Sequence, residues 1–259
     1  MKGALFVTGP AGTGKSSFCG ALKEWFIKNN MDAAIVNLDP GSEFIPYESD
    51  IDVREWISIA DIMAEYSLGP NGAQIVASDL IIEHIDRIKN ILDELTDYYV
   101  IFDTPGQIEL FTLRTSSNLI VETLGGKKSM IAFIGDSVIS TTPSGHISQK
   151  LMYSSVLARF FKPTLYVSNK IDLISEAQLN DIKEWEETPD KLADIFMEEG
   201  TPMRKDFFYN ILNAFQESGL SNTIIPVSTK NMVGFEDVYS AMALFLSGGE
   251  DEDTLYKDD

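Results

Sequence analysis

Hydrophobic residues along the chain occur in short continuous runs that alternate with longer stretches in which they are three or four positions apart. A continuous run predicts a strand that is covered on both faces, and the wider spacing predicts an amphipathic helix. The runs are Ala4–Gly9, Ala33–Leu38, Tyr98–Asp103, Met130–Gly135, Thr164–Asn169 and Thr223–Ser228. The helical stretches are Lys15–Asn29, Asp79–Leu95, Ile147–Phe161 and Phe235–Leu246. This alternation predicts an α/β fold with a mostly parallel central sheet of six strands flanked by helices.

Two connections between the predicted strands are longer than a simple crossover requires. They lie at about residues 40–96 and 175–220, and both have helical character. We expect one domain over residues 1–247 that carries these two helical insertions, because a chain of this size can bury a single core. The last residues, 248–259, begin with glycine and are acidic, which predicts a flexible tail.

Charge and cysteine content narrow the possible partners and compartment. The chain has 40 acidic and 20 basic residues, and a net charge of −20 disfavours direct binding to nucleic acid or to an anionic membrane. No apolar run reaches the roughly 18 to 20 residues of a membrane helix. A single cysteine, Cys19, and an N-terminus without a signal-peptide pattern predict a cytoplasmic protein.

A phosphate-binding loop follows the first predicted strand. Residues 9–16 match the pattern G-x-x-x-x-G-K-S/T between a strand and a helix, where backbone N–H groups and the helix N-terminus face an anion. Lys15 is expected to reach the β- and γ-phosphates, and Ser16 is expected to bind Mg²⁺. The residues predicted to contact the nucleotide here are Gly9, Gly12, Thr13, Gly14, Lys15, Ser16 and Ser17.

Two other strands end in carboxylates that would face the same crevice. Asp103 begins a D-x-x-G sequence, so we expect it to hold the metal and the Gly106 N–H to contact the γ-phosphate. Asp39 ends the second strand and could orient the attacking water, or it could be a turn aspartate before a proline. Gln107 and Glu109 could assist the same reaction.

The fifth and sixth strands are followed by sequences that predict recognition of a guanine base. Asn169, Lys170 and Asp172 form an N-K-x-D sequence, in which the carboxylate can accept two hydrogen bonds from guanine. Asn169 and Lys170 would brace the loop and cover the ring. Ser228 begins Ser-Thr-Lys, which resembles the S-A-K loop of GTPases. Together these motifs predict a Mg²⁺-dependent enzyme that converts GTP to GDP and phosphate.

The complete set of motifs resembles the GPN-loop GTPase family from Leu5 to about Leu246. The family signature is carried by Gly69-Pro70-Asn71 within Ser67–Ala73, by Ile51–Glu55, and by the motifs around Asp39 and Asp103. The resemblance implies a dimer in which the Gly-Pro-Asn loop of one subunit enters the partner's active site, with Asn71 contacting phosphate. It also implies that Asp39, Gln107 and Glu109 surround the attacking water.

The resemblance further implies a biological setting. Eukaryotic members of the family are linked to RNA polymerase assembly, so that machinery is a candidate protein partner. The compact chain is more similar to the archaeal type, which is encoded by a single gene and forms homodimers. Two other functions remain open, namely a GTP-dependent scaffold or assembly factor with slow turnover, and a P-loop phosphotransferase. The N-K-x-D motif and the lack of an Arg-rich lid argue against the phosphotransferase.

Overall fold

A parallel β-sheet forms the centre of the molecule, which a computed structural model describes over residues 1–199, 202–217 and 224–255. Within these ranges the sheet has seven strands in the order β3-β2-β4-β1-β5-β6-β7, and each neighbouring pair is parallel. The strands are β1 (Gly3–Thr8), β2 (Ala33–Asn37), β3 (Ile51–Asp52), β4 (Tyr99–Asp103), β5 (Ser129–Asp136), β6 (Thr164–Asn169) and β7 (Ile225–Val227). The predicted α/β class with a parallel sheet is confirmed.

The prediction of six strands was wrong by one. The additional strand, β3, has two residues and pairs only with the end of β2, so it is too short to produce a hydrophobic pattern. Its register nevertheless matters, because it places Asp52 beside Asn37, which in turn lies beside Asp103 of β4. Thr223, the predicted start of the last strand, lies outside the described residues.

Helices cover the sheet and fill both long connections. Their bounds are α1 (Lys15–Lys28), α2 (Ile59–Tyr66), α3 (Pro70–Leu80), α4 (Ile85–Leu92), α5 (Ile108–Phe111), α6 (Thr115–Gly125), α7 (Pro143–Phe160), α8 (Glu176–Glu187), α9 (Pro189–Glu199), α10 (Pro202–Glu217) and α11 (Phe235–Leu255). The last helix continues past its predicted end, and residues 256–259 of the acidic tail lie outside the described residues. The flexibility of that tail stays a prediction.

The region predicted as one helix over 79–95 is divided in the structure. Helix α3 ends at Leu80, a 3-10 turn spans Ile81–His84, and α4 begins at Ile85. Helix α3 also starts earlier than the pattern indicates, with Pro70 in its first turn. Proline is well tolerated there because the N–H groups of the first turn have no partner within the helix. The Gly-Pro-Asn tripeptide is therefore the beginning of a helix.

Buried side chains form a core on each face of the sheet, which explains the continuous apolar runs. Successive residues of β1 point to opposite faces: Phe6 joins the cluster under α3, α4, α6 and α7, whereas Leu5 and Val7 join the cluster under α1 and α11. Phe6 stacks on Phe102 of the neighbouring strand at 4.2 Å between ring centroids. Both cores stop at the carboxyl ends of the strands, where the polar residues begin.

Candidate functional site

The phosphate loop has a backbone that only glycine accommodates at two key positions. Gly9 has a φ of 149°, and a β-carbon there would lie 2.4 Å from the carbonyl oxygen of Ile134. Gly14 has a φ of 92° at the N-cap of α1, and a β-carbon there would lie 2.7 Å from Nδ2 of Asn169. No side chain caps the N-terminus of α1. Its first N–H groups are therefore suited to an anion such as phosphate.

Lys15 connects the phosphate loop to the D-x-x-G sequence. Its Nζ donates hydrogen bonds to the carbonyl oxygens of Gly9 at 2.9 Å, Pro10 at 2.9 Å and Gly106 at 2.7 Å. Burial lowers the pKa of Lys15, while the nearby carboxylates of Asp103 and Asp39 favour its charged form. The cation is thus held where phosphate oxygens could replace the carbonyl groups. Of the other predicted loop residues, Thr13 is buried and Ser17 is exposed.

Asp103 at the end of β4 has one satisfied and one unsatisfied carboxylate oxygen. Its side chain is almost completely buried, and Oδ2 accepts a 2.7 Å hydrogen bond from the hydroxyl of Tyr47. Oδ1 is buried and has no hydrogen-bond partner among the described residues. Burial raises the pKa of Asp103 to about 6, although Ser16 and Tyr47 favour the ionised form. Burial also raises the pKa of Tyr47, so its hydroxyl remains a donor.

These groups fit a magnesium ion. Mg²⁺ prefers oxygen ligands and is commonly bound through one or two protein groups together with substrate phosphates. The hydroxyl of Ser16 and the unsatisfied Oδ1 of Asp103 are such ligands. Among the described residues no cluster of three or more His, Cys, Asp or Glu side chains could hold a metal without further ligands. Ser16 and Asp103 are the residues that would hold such an ion.

Asp39 bridges two loops, and one of its contacts is that of a turn aspartate, while its role toward water stays a prediction. Its Oδ1 accepts a 2.9 Å hydrogen bond from the Gly41 N–H, as a turn aspartate does, and its Oδ2 accepts a 3.0 Å bond from the Gly106 N–H. Burial raises the pKa of Asp39, while the two N–H groups and Lys15 oppose this change. Oδ1 of Asn37 also accepts a bond from the Asp39 N–H at 3.0 Å. The Gly106 N–H, which is expected to contact the γ-phosphate, thus donates its hydrogen bond to a carboxylate of the protein.

The remaining predicted catalytic residues are exposed. Gln107 immediately precedes α5 and Glu109 lies in its first turn, directly after the Gly106 contact. Asn71 is the second residue of α3. One turn further along that helix, Gln74 packs against Gly41 of the Asp39 loop, where a β-carbon would lie 3.1 Å from Nε2. Helix α3 therefore contacts the site's own loop, while the catalytic roles of these three residues stay predictions.

The N-K-x-D sequence joins the phosphate loop to the loop after β7. Nδ2 of Asn169 donates to the carbonyl oxygen of Thr13 at 3.0 Å, and its Oδ1 accepts from the N–H and the hydroxyl of Thr229 at 3.2 and 2.8 Å. Nζ of Lys170 donates to the Gly12 carbonyl oxygen and forms an ion pair with Asp136, both at 2.6 Å. These contacts fix the two ends of the site relative to each other.

The predicted base-reading carboxylate is held by the Ser-Thr-Lys loop. Oδ1 of Asp172 accepts a 2.7 Å hydrogen bond from the hydroxyl of Ser228, which in turn accepts a 3.1 Å bond from the Asn231 N–H. Ser228 is buried, whereas Asp172 is partly exposed. Ser228 therefore orients the carboxylate while leaving it accessible to a base.

Sequence reasoning missed two residues of the site. Asp136 ends the buried strand β5 in the same way that Asp103 ends β4, so a search for carboxylates at strand ends would have found it. Tyr47 lies in the connection between β2 and β3, where no periodic pattern or known motif draws attention to it. Its role is visible only from the contact with Asp103.

Comparison with known proteins gives consistent matches. A family model described as a conserved hypothetical ATP binding protein matches residues 7–246. GPN-loop GTPase 3 from Kluyveromyces lactis is 31% identical over 88% of this chain and 85% of its own length. GPN-loop GTPase QQT1 from Arabidopsis thaliana is 34% identical over 65% of this chain and 58% of its own length.

A solved structure is also similar over nearly the whole chain. The apo form of a GTPase from Pyrococcus abyssi superimposes with a TM-score of 0.83 at 28% identity, covering 94% of this chain and 97% of that one. Several of the curated relatives are longer, and the matched region spans about half of their length. In the described part of the chain, no helix has the length and apolar character that crossing a membrane requires.

Proposed function

Because the chain belongs to the GPN-loop GTPase family, we propose that it binds GTP and hydrolyses it to GDP and phosphate in a Mg²⁺-dependent reaction. The observation that carries this proposal is the position of Asn169, which is hydrogen-bonded to the phosphate loop on one side and to Thr229 on the other. The predicted phosphate-binding and base-reading groups are thereby parts of one site. A nucleotide is the ligand class that presents both chemistries at once.

Phosphate binding requires Lys15 to exchange partners. The three carbonyl groups that now accept from its Nζ are replaced by oxygens of the β- and γ-phosphates, which carry full negative charge and make stronger hydrogen bonds. The N–H groups of the loop and of the first turn of α1 complete the anion site. When bound, Mg²⁺ would be held by Ser16 and Asp103 and would neutralise charge on the phosphates.

Hydrolysis makes use of the loop that carries Asp39. The Gly106 N–H, which now donates to Asp39, is the group expected to contact the γ-phosphate. When the γ-phosphate takes this N–H, the carboxylate of Asp39 is released and can orient a water molecule for attack. Gln107 and Glu109, which follow Gly106 in the chain, assist in positioning that water. The bond between Asp39 and Gly106 therefore belongs to the states without a γ-phosphate.

Selection of guanine over adenine follows from Asp172. Although the family description refers to ATP, the carboxylate is a pure acceptor that Ser228 holds from one side. Guanine offers two donors to such a group, whereas adenine does not offer this pattern. An acceptor left unpaired by adenine costs about 1 to 3 kcal/mol, which corresponds to roughly 5- to 150-fold in affinity.

We further propose a cytoplasmic homodimer in which Asn71 acts at the partner's nucleotide. Asn71 is exposed at the start of α3, and its carboxamide can donate a hydrogen bond to developing negative charge without burying a cation. The alternative function is a GTP-dependent scaffold or assembly factor, in which the same site hydrolyses GTP at a lower rate. RNA polymerase assembly machinery is a candidate partner.

Nucleotide titration tests the binding part of this proposal. Lys15→Ala and Ser16→Ala should each abolish Mg²⁺-dependent GTP binding while the circular dichroism spectrum is unchanged, because both side chains serve the ligand more than the core. Lys28→Ala is the matched control, since Lys28 is an exposed lysine at the other end of α1. Wild-type GTP affinity in the Lys15 variant would show that the phosphate site lies elsewhere.

A further inference from the structure

The hydroxyl of Tyr47 contacts the candidate metal-binding carboxylate from a loop outside the sequence motifs. It donates a 2.7 Å hydrogen bond to Oδ2 of Asp103, while Oδ1 of the same carboxylate is buried without a partner among the described residues. We propose that Tyr47 is a positioning residue for the magnesium site, which fixes one oxygen of Asp103 and leaves the other for the metal or its bound water. This inference rests on the proposed function.

The position of the Tyr47 side chain is set by packing and not only by this hydrogen bond. Its β-carbon lies close to Gly20 on α1, where an added β-carbon would approach it to 3.2 Å. Beyond Tyr47 the loop is fastened by Asp50, whose Oδ2 accepts from the N–H of Ile35 at 2.7 Å and pairs with Lys23 of α1 at 2.6 Å. The hydroxyl is therefore presented to Asp103 by a supported segment.

This arrangement matches the way that proteins orient carboxylates toward metals. The groups that hydrogen-bond to a ligating carboxylate fix its direction, and removing them typically costs 10- to 100-fold in metal affinity or activity. A phenol suits the role because it contributes a donor without a competing charge. Removing the hydroxyl takes away the partner of Oδ2 inside a buried site, so the Asp103 side chain can turn away from the metal position.

The same loop joins the metal site to the water-positioning carboxylate. Asp39 at its start contacts Gly106, and Tyr47 near its end contacts Asp103, so the two contacts reach the end of β4 and the segment that follows it. A single loop therefore carries both the residue that orients Asp103 and the carboxylate proposed to position water.

Tyr47→Phe tests the inference because it removes the hydroxyl and retains the ring. The measurement is the affinity for a non-hydrolysable GTP analogue as a function of Mg²⁺ concentration, and again in EDTA. We expect the Mg²⁺ concentration that gives half of the maximal increase in analogue affinity to rise by about 10- to 100-fold. The affinity for the analogue in EDTA should be unchanged. Tyr66→Phe, at an exposed tyrosine of α2, is the control and should match the wild type.

A double variant shows whether the hydroxyl acts through Asp103. In an Asp103→Asn background, Tyr47→Phe should cause no further shift in the Mg²⁺ dependence. The inference would be overturned if the Mg²⁺ midpoint of the single variant were unchanged or lower than that of the wild type. It would also be overturned by a further shift of the midpoint in the double variant. If the wild type itself showed no Mg²⁺-dependent binding of the analogue, the proposed function would be contradicted instead.

Discussion

At the scale of single residues, the groups expected to bind phosphate and metal are satisfied by the protein itself. Lys15 is bonded to carbonyl groups, the Gly106 N–H to Asp39, and one oxygen of Asp103 to Tyr47. Buried polar groups need partners, and these internal contacts supply them until a ligand takes their place. The exception is Oδ1 of Asp103, which is buried without a hydrogen-bond partner among the described residues.

Asp103 should therefore reduce the stability of the nucleotide-free protein near neutral pH. Its folded-state pKa of about 6 lies above the usual value of about 3.9. Because folding raises this pKa, the contribution of protonated Asp103 to the free energy of unfolding is fully present below about pH 4. It is lost as the pH rises through about 6. We expect Asp103→Asn to raise the free energy of unfolding by about 2 kcal/mol at about pH 8.

Urea unfolding without nucleotide measures this effect. The stability difference between the variant and the wild type should become smaller at about pH 5, where the wild-type carboxyl is mostly protonated. A variant that is less stable than the wild type at about pH 8, or a difference that does not depend on pH, would contradict this prediction.

At the scale of elements, helix α8 is joined to α7 by charged side chains inside the core. Glu186 of α8 lies with one oxygen 2.7 Å from Nζ of Lys150 and with the other 2.9 Å from Nε2 of His146, and all three side chains are buried. Burial alone would raise the pKa of Glu186, but His146 and Lys150 hold it below its usual range. This cluster attaches the second long connection to the body of the fold.

Glu186→Gln should destabilise the protein by about 3 to 5 kcal/mol near neutral pH, because Lys150 loses its buried ion-pair partner. A lowered pKa means that the stabilising contribution of Glu186 is present above about pH 4.3 and is lost as the pH falls through the lower folded-state value. The difference from the wild type should therefore shrink in acid. Urea unfolding checks this, with the exposed neighbour Glu187→Gln as control; equal losses in both variants would exclude the cluster as the cause.

The sequence predicted elements well where burial on both faces leaves a continuous apolar run, as in β1 and β5. It failed where an element is too short for a pattern, as in β3, or where a helix begins at a motif that also suits a turn, as at Pro70. Carboxylates at strand ends were predictable because parallel strands place their ends at one edge. The partners of those carboxylates, such as Tyr47 and Gly106, depend on loop conformation and could not be read from spacing.

At the scale of the whole molecule, the residue that gives the family its signature lies at the surface. Asn71 is exposed at the start of α3. In a two-fold dimer, each subunit contributes the same surface to the interface, so both sites would be completed together. The exposed position is thus compatible with action on a second subunit.

Subunit mixing tests this arrangement. Asn71→Ala should reduce turnover by about 10²-fold with a much smaller effect on GTP affinity, as expected for loss of a donor to transition-state charge. A Lys15→Ala subunit is also inactive, yet its mixed dimer with an Asn71→Ala subunit contains one complete site. Activity should reappear after subunit exchange. Mixed dimers verified by mass that stay inactive would show that Asn71 acts within its own chain or has no catalytic role.

The central claim, that this is a guanine-nucleotide hydrolase, is tested most directly by phosphate release from GTP, ATP and XTP with Mg²⁺, using the wild type and Asp172→Asn. The wild type should hydrolyse GTP in strong preference to ATP, because Asp172 accepts from two guanine donors. The variant should lose activity on GTP and gain it on XTP, whose base presents an acceptor where guanine presents a donor. Equal rates of the wild type on GTP and ATP, or a variant with unchanged base preference, would contradict the account.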